Sequence, residues 1–356
     1  MKGSRFYFLA ILIIAGCTPP QEKEQSTGRT LNTQVKFAEK FTVEENAIIV
    51  KEPWPGAVAP ISYAPDTPPQ RVVVTSTTHL AYLEMLDVED RIVGFPSTQY
   101  ISSPVIRKLV NDGKITDLGP DGSMNLELLI SLAPDAVFAF DMGSESTTLD
   151  KIEESGIPVF YNADFLETSS LGRAEWIKFF GAFFDKEKEA DSIFTSIVQR
   201  YDSLKTLAAD AQNQPSIVSG VMYGDTWFLP GGQNWAAEFY RDAGGRYLWE
   251  NDSTSGWLEI SFESVFEKAG EADFWIGTST FNTKKELAGQ DTRYTHFKAF
   301  KVDEVYNYNK RLGPTGGYDF FESAYTRPDR VLADLIFILH PELLPDYDTY
   351  YFQKLP

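Results

Sequence analysis

Apolar residues along the first half of the chain fall in short β-branched runs separated by stretches with helical spacing. Arg71-Val72-Val73-Val74-Thr75 predicts a buried strand. It leads through Thr77-Thr78-His79 into an apolar-periodic segment over residues 80–86, and Ile92-Val93-Gly94 starts another strand. The alternation continues with a helix over 125–132, a strand over 136–140, a helix over 148–155 and a strand over 158–161. Ahead of these units, the runs at 41–43 and 48–50 flank Glu45-Asn46 and predict a hairpin. Strand, polar cap, helix and strand in succession is the pattern of a parallel α/β sheet.

The middle of the chain changes period. From Glu187 to about Ala211, apolar residues recur at Ala190, Ile193, Phe194, Ile197, Val198, Tyr201, Leu204, Leu207 and Ala208, with no Gly or Pro. Steps of three and four over this length predict one helix nearly 40 Å long, at about 1.5 Å per residue. A coiled-coil partner would show the same spacing, but α/β segments on both sides favour a spacer between two lobes. After Pro215 the strand and helix pattern resumes: strands over 217–221, 274–277 and 305–308, and helices over 234–243 and 329–339.

A weak internal repeat links the halves. NLELLISLAPDAVFAF from Asn125 and SFESVFEKAGEADFWIG from Ser261 share a capping residue, an apolar residue, a glutamate, a helix and an Asp opening a strand. Asn125 and Ser261 suit N-caps, because their side-chain oxygens accept from an otherwise orphan N–H. Glu127 and Glu263 then fall in the first turn, where the helix dipole favours negative charge. Local stabilisation alone would explain either glutamate; their matched placement in two halves points to more.

The N-terminus departs from this pattern. Lys2 and Arg5 precede an apolar run over 6–14, and Ala15-Gly16 lead to the single cysteine, Cys17. The run is shorter than the about 20 residues that span a bilayer. A charged start, a short apolar core and small residues compose a cleavable signal over 1–16. It resembles a bacterial lipoprotein signal, whose cysteine is lipidated and becomes the mature N-terminus; an ordinary secretion signal is the alternative. Residues 17–34 are polar and short of large apolar side chains, which predicts a flexible tether.

Composition narrows the function classes. The chain has 32 Lys+Arg against 51 Asp+Glu, a net charge of -19, and loss of 1–16 removes Lys2 and Arg5 but no acid. Such acidity argues against nucleic acid, which is bound through clustered cations. A single cysteine excludes intrachain disulfides and Cys-based metal sites. At 356 residues, 43% hydrophobic, the chain has material for two cores. No phosphate loop follows Gly231-Gly232, no G-x-S-x-G elbow occurs, and His79, His296 and His340 form no paired metal motif.

The segments MNLELLISLAPDAVFAF, FLPGGQNWAAEFYRDAGGRYLW and RPDRVLADLIFILHPELLP, with the doubled glutamate motif, resemble the substrate-binding proteins of ABC importers. The nearest type is that for cobalamin, haem and ferric siderophores, and the resemblance covers residues 35–356. It implies two Rossmann-like α/β lobes, 35–186 and 213–356, joined by a single spacer helix over 187–212. It implies a non-enzymatic, monomeric protein, lipid-anchored to a bacterial membrane in the periplasm or at the cell surface, which captures a bulky chelate for a permease dimer. Glu127 and Glu263 would dock on the permease. The protein would hold no resident cofactor or metal; iron or cobalt would arrive within the cargo. The cleft between the lobes would draw on Tyr100, Phe140, Trp227, Phe228, Trp257, Phe281, Tyr318 and Phe321, rings suited to a bulky ligand, with about half of them touching it and the others plugged into the lobe cores. Arg311 would pair with a cargo carboxylate or phosphate or, equally, stand as a plain surface residue, and His79, at a strand-to-helix turn, is a candidate ligand for a cargo metal. The alternatives are a tethered α/β enzyme acting on a surface polymer, which would need convergent carboxylates, and a surface scavenger or sensor of the same fold.

Overall fold

The computed structural model describes residues 29–143 and 147–356. Two five-stranded sheets organise them. The first is all parallel, in the order Thr116–Asp117, Ile92–Phe95, Val72–Val74, Ala136–Ala139 and Val159–Tyr161. The second runs Arg246–Tyr247, Ser216–Val218, Phe274–Ile276 and Val305–Asn307 in parallel, closed by the antiparallel edge strand Gln353–Lys354. Val72, Val73 and Val74 are all 0% exposed. A strand covered on both faces needs apolar residues at every position, which is why it reads as an unbroken run.

The helix Glu187–Ala209 joins the two lobes. At 23 residues it is about 35 Å long. Ala190 and Phe194 enter the core of the first lobe, whereas Ile197, Tyr201 and Ala208 enter that of the second. One apolar stripe thus serves two cores, so its period persists across the whole helix. The architecture is a two-lobed α/β fold with one helical spacer. Among the described residues no helix is long and apolar enough to cross a membrane.

Three expectations change. The signal, Cys17 and most of the expected tether lie outside the described residues, but the tether's last residues are packed. Leu31 is 5% exposed and donates its N–H to the Glu45 carbonyl at 2.7 Å, while Arg29 pairs with Asp185 and Glu187. Just beyond, the Lys36, Phe37 and Ala38 N–H groups converge on the buried Glu175 carboxylate. The folded body therefore extends back to Arg29. Next, two helices, Ser170–Glu175 and Ile177–Phe184, occupy a stretch that the apolar spacing left unassigned. Every residue of both is buried, so no polar face marks their period. Finally, the expected strand over 217–221 is two strands, Ser216–Val218 and Val221–Tyr223, because the chain turns at Gly220 with φ +80°.

Candidate functional site

The turn at Gly220 opens a small antiparallel sheet, Val221–Tyr223, Thr226–Pro230 and Trp257–Ser261. A Cβ on Gly220 would run into the Phe228 carbonyl oxygen, so glycine is required by space as well as by φ. Side chains alternate across this sheet. Met222, Trp227 and Leu229 point into the core of the second lobe, and Val221, Tyr223, Phe228 and Trp257 take the other face.

That outer face forms one wall of a cavity of about 860 Å³ at the C-terminal ends of the second sheet's parallel strands. Trp235, Phe281, Tyr308 and Phe320 line other parts of it. An adjoining cavity of about 480 Å³ reaches the first lobe, where Thr75 to Thr77, Tyr100 and Phe140 face Tyr318 and Phe321 of the second. Thr280 and Phe321 border both spaces. Open α/β sheets leave such crevices beyond their strand ends because the loops there diverge to the helices on either side. Trp257 is 60% exposed, Tyr100 59% and Phe321 47%. Rings this open are available for contact with a ligand.

Of the rings expected in the cleft, Tyr100, Phe140, Phe228, Trp257, Phe281, Tyr318 and Phe321 border these two cavities. Trp227 does not. It is 0% exposed, stacks on Trp275 at 5.4 Å, meets Tyr294 edge-on at 5.5 Å and donates its indole N–H to the Ser219 carbonyl at 2.9 Å. The one-residue offset from Phe228 puts it on the opposite face of the strand.

Arg311 is also displaced from the expected cleft. Its Nε donates to Asp319 at 2.9 Å and its guanidinium lies 4.4 Å from the Tyr350 ring centre. It lines a separate cavity of about 560 Å³, with Arg327, Arg330 and Lys310, beside the first-lobe helix Thr77–Met85. The short helix Asp319–Ser323 divides the two spaces. Phe320 and Phe321 face the aromatic cavity, whereas Asp319, Glu322 and Ser323 face the basic one.

Glu322 ties the lobes together. Its carboxylate accepts from the Ser102 N–H at 2.6 Å, the Ser102 hydroxyl at 2.8 Å and the Ser103 N–H at 3.0 Å, all from the first lobe. Burial pushes its pKa up to about 7, against the pull of these donors. Nearby, the Thr315 hydroxyl donates to the Gln99 carbonyl at 2.7 Å, and Gly317 packs so closely on Tyr100 that a Cβ would strike the Tyr100 carbonyl. This junction was not legible from motif or spacing, since its partners lie some 220 positions apart.

His79 is 0% exposed inside the first lobe, with its ring 5.6 Å from Phe180. Neither ring nitrogen has a partner with hydrogen-bond geometry, although the Phe138 backbone and the Asn162 side chain are close enough to favour the charged form weakly. Burial dominates and pushes its pKa down to about 3, so it is a neutral core residue and does not face the cleft. His340 is likewise 0% exposed. Among the described residues no three His, Cys, Asp or Glu are placed to hold a metal.

The two glutamates of the repeat sit as their motifs direct. Asn125 caps Leu126–Ser131 by accepting from the Leu128 N–H at 3.0 Å, and Ser261 caps Phe262–Ala269 by accepting from the Ser264 N–H at 3.3 Å. Glu127 and Glu263 are both exposed in the first turn. Glu263 has its side chain 78% exposed, with Arg293 at 3.5 Å.

A family model described as "Periplasmic binding protein" matches residues 72–312. An uncharacterized lipoprotein of Methanocaldococcus jannaschii is 27% identical over 300 residues, 81% of this chain and 69% of the relative. A vitamin B12-binding protein of Vibrio vulnificus is 29% identical over 154 residues, 42% of this chain and 53% of the relative. Among solved structures, an ABC-type Fe3+-hydroxamate transport protein from Saccharomonospora viridis superposes with a TM-score of 0.60 at 16% identity, over 82% of this chain and 98% of its own.

Proposed function

The chain belongs to the periplasmic binding protein family, and from that premise we propose that it captures a bulky metal chelate between its lobes and delivers it to an ABC importer permease. The observation that carries this reading is the aromatic cavity of about 860 Å³ at the strand ends, which adjoins the space between the lobes at Thr280 and Phe321. Its size falls in the about 300–1,000 Å³ range of small-molecule sites, which are mostly apolar and carry few polar groups. Phe228, Trp257, Phe281 and Phe321 supply stiff contact area on several sides of it. A vitamin B12-binding relative and a hydroxamate-transport structure of the same fold accord with a chelate as cargo.

In this reading Glu127 and Glu263 present one carboxylate from each lobe to cationic side chains of the permease. Charge pairing of that kind fixes register and speeds encounter more than it deepens affinity. Cys17 carries the lipid that holds the protein at the membrane, in keeping with the lipoprotein relative. A tethered enzyme would rest on convergent carboxylates, and the described residues lining the two cavities include one, Asp121. Isothermal titration with cyanocobalamin, haemin and a series of ferric siderophores tests the proposal. Saturable one-to-one binding of a chelate is expected; heat signals absent across the whole series would refute it.

A further inference from the structure

We infer that the cargo carries no net negative charge, and that the cleft selects neutral or cationic chelates against anionic ones. The inference rests on the aromatic cleft being the cargo site. Among the described residues, no lysine, arginine or histidine lines either cavity of the cleft, and the one charged side chain is the carboxylate of Asp121. The remaining polar groups are hydroxyls, the indole N–H groups of Trp235 and Trp257, the Gln290 carboxamide and backbone, all of them uncharged. An anion entering such a space gives up its water without meeting a countercharge, and burial of unpaired charge is strongly unfavourable.

Cations are present at the lobe junction, but on the wrong side of a partition. Arg311, Arg327 and Arg330 open into the neighbouring cavity behind the helix Asp319–Ser323, whose aromatic side alone faces the cleft. Two of them are already engaged, Arg311 with Asp319 at 2.9 Å and Arg327 with Asp329 at 2.8 Å. The helix beginning at Thr77 does direct its N-terminus at the cleft, a feature that favours anions. Its Thr78 N–H is taken by the Ser76 side chain, which reduces what remains for a ligand. The chain's net charge of -19 adds a field that repels anions on approach.

The test is a competition series on the full-length protein in detergent. The probes are cyanocobalamin and ferrichrome (neutral), ferrioxamine B (cationic), and ferric enterobactin, ferric citrate and haemin (anionic). The tightest binder should come from the neutral or cationic set and lead every anionic probe by at least about tenfold, as desolvation of an unpaired anion requires. Thr280→Arg, which places a cation where the two cavities meet, should raise the affinity for an anionic probe while leaving the fold intact by circular dichroism. An anionic chelate binding as tightly as any other would overturn the inference and leave the proposed function standing. Binding of no probe at all would overturn both.

Discussion

Replacing Glu322 with glutamine tests whether a buried carboxylate joins the lobes. Glu322 is 2% exposed and accepts three hydrogen bonds from Ser102 and Ser103 across the junction. Burial raises its pKa from 4.5 to about 7. Between those values the folded protein holds a proton that the unfolded chain has released, so this group stabilises less as pH rises. Its contribution is fully present below about pH 4.5 and is lost as pH climbs through about 7. The displacement corresponds to about 3 kcal/mol as an upper bound, at 1.36 kcal/mol per pH unit. Glutamine does not titrate, and other strongly shifted groups, Asp164 (buried, its pKa pushed up to about 6) and His79, titrate alike in both proteins and cancel. Denaturant unfolding of wild type and Glu322→Gln, followed by circular dichroism from about pH 5 to about pH 8, isolates the effect. Wild type should lose up to about 2.5 kcal/mol relative to the variant over that range. A difference that stays level within about 0.5 kcal/mol, or that moves in the wild type's favour as pH rises, would refute the reasoning.

Other perturbations separate core from cleft and cleft from docking surface. Trp227→Ala should cost about 3–5 kcal/mol in denaturant unfolding, because it empties a buried ring site and strands the Ser219 carbonyl. Trp257→Ala should change stability by less than about 0.5 kcal/mol yet weaken calorimetric chelate binding by about 1 kcal/mol or more. The double variant Glu127→Ala/Glu263→Ala should bind chelate as wild type does, while uptake by cells or by permease-containing vesicles falls sharply. His79→Leu should become less acid-sensitive than wild type. The wild-type ring, held near pKa 3, stabilises above about pH 6.5 and gives up that stability as pH falls toward 3, which unfolding curves over that range will show.

The parallel sheets were legible because strands such as Val72–Val74 are covered on both faces and admit only apolar residues. The spacer helix was legible because one stripe packs in two cores. The helices Ser170–Glu175 and Ile177–Phe184 were not, since a segment buried all round has no polar face to set its period. Most cleft rings could be placed by their position after strands. Trp227 could not, because the turn at Gly220 converts a loop into a small sheet in which Trp227 and Phe228 take opposite faces. A Gly-Val-Met-Tyr-Gly-Asp-Thr stretch, with glycines flanking a three-residue apolar run, was the available sign of that hairpin. Arg311 and Glu322 were beyond reach for another reason. Which side of the short helix Asp319–Ser323 faces the cleft depends on how it packs against residues 99–103, a contact between distant parts of the chain.

A chelate bound by this protein should sit in the aromatic cleft. A crystal structure of the protein with the tightest-binding chelate from the titration series tests it most directly. Density is expected packed against Phe228, Trp257, Phe281 and Phe321, on the aromatic side of the helix Asp319–Ser323. Density in the Arg311 cavity instead, with the aromatic cleft unchanged, would contradict it.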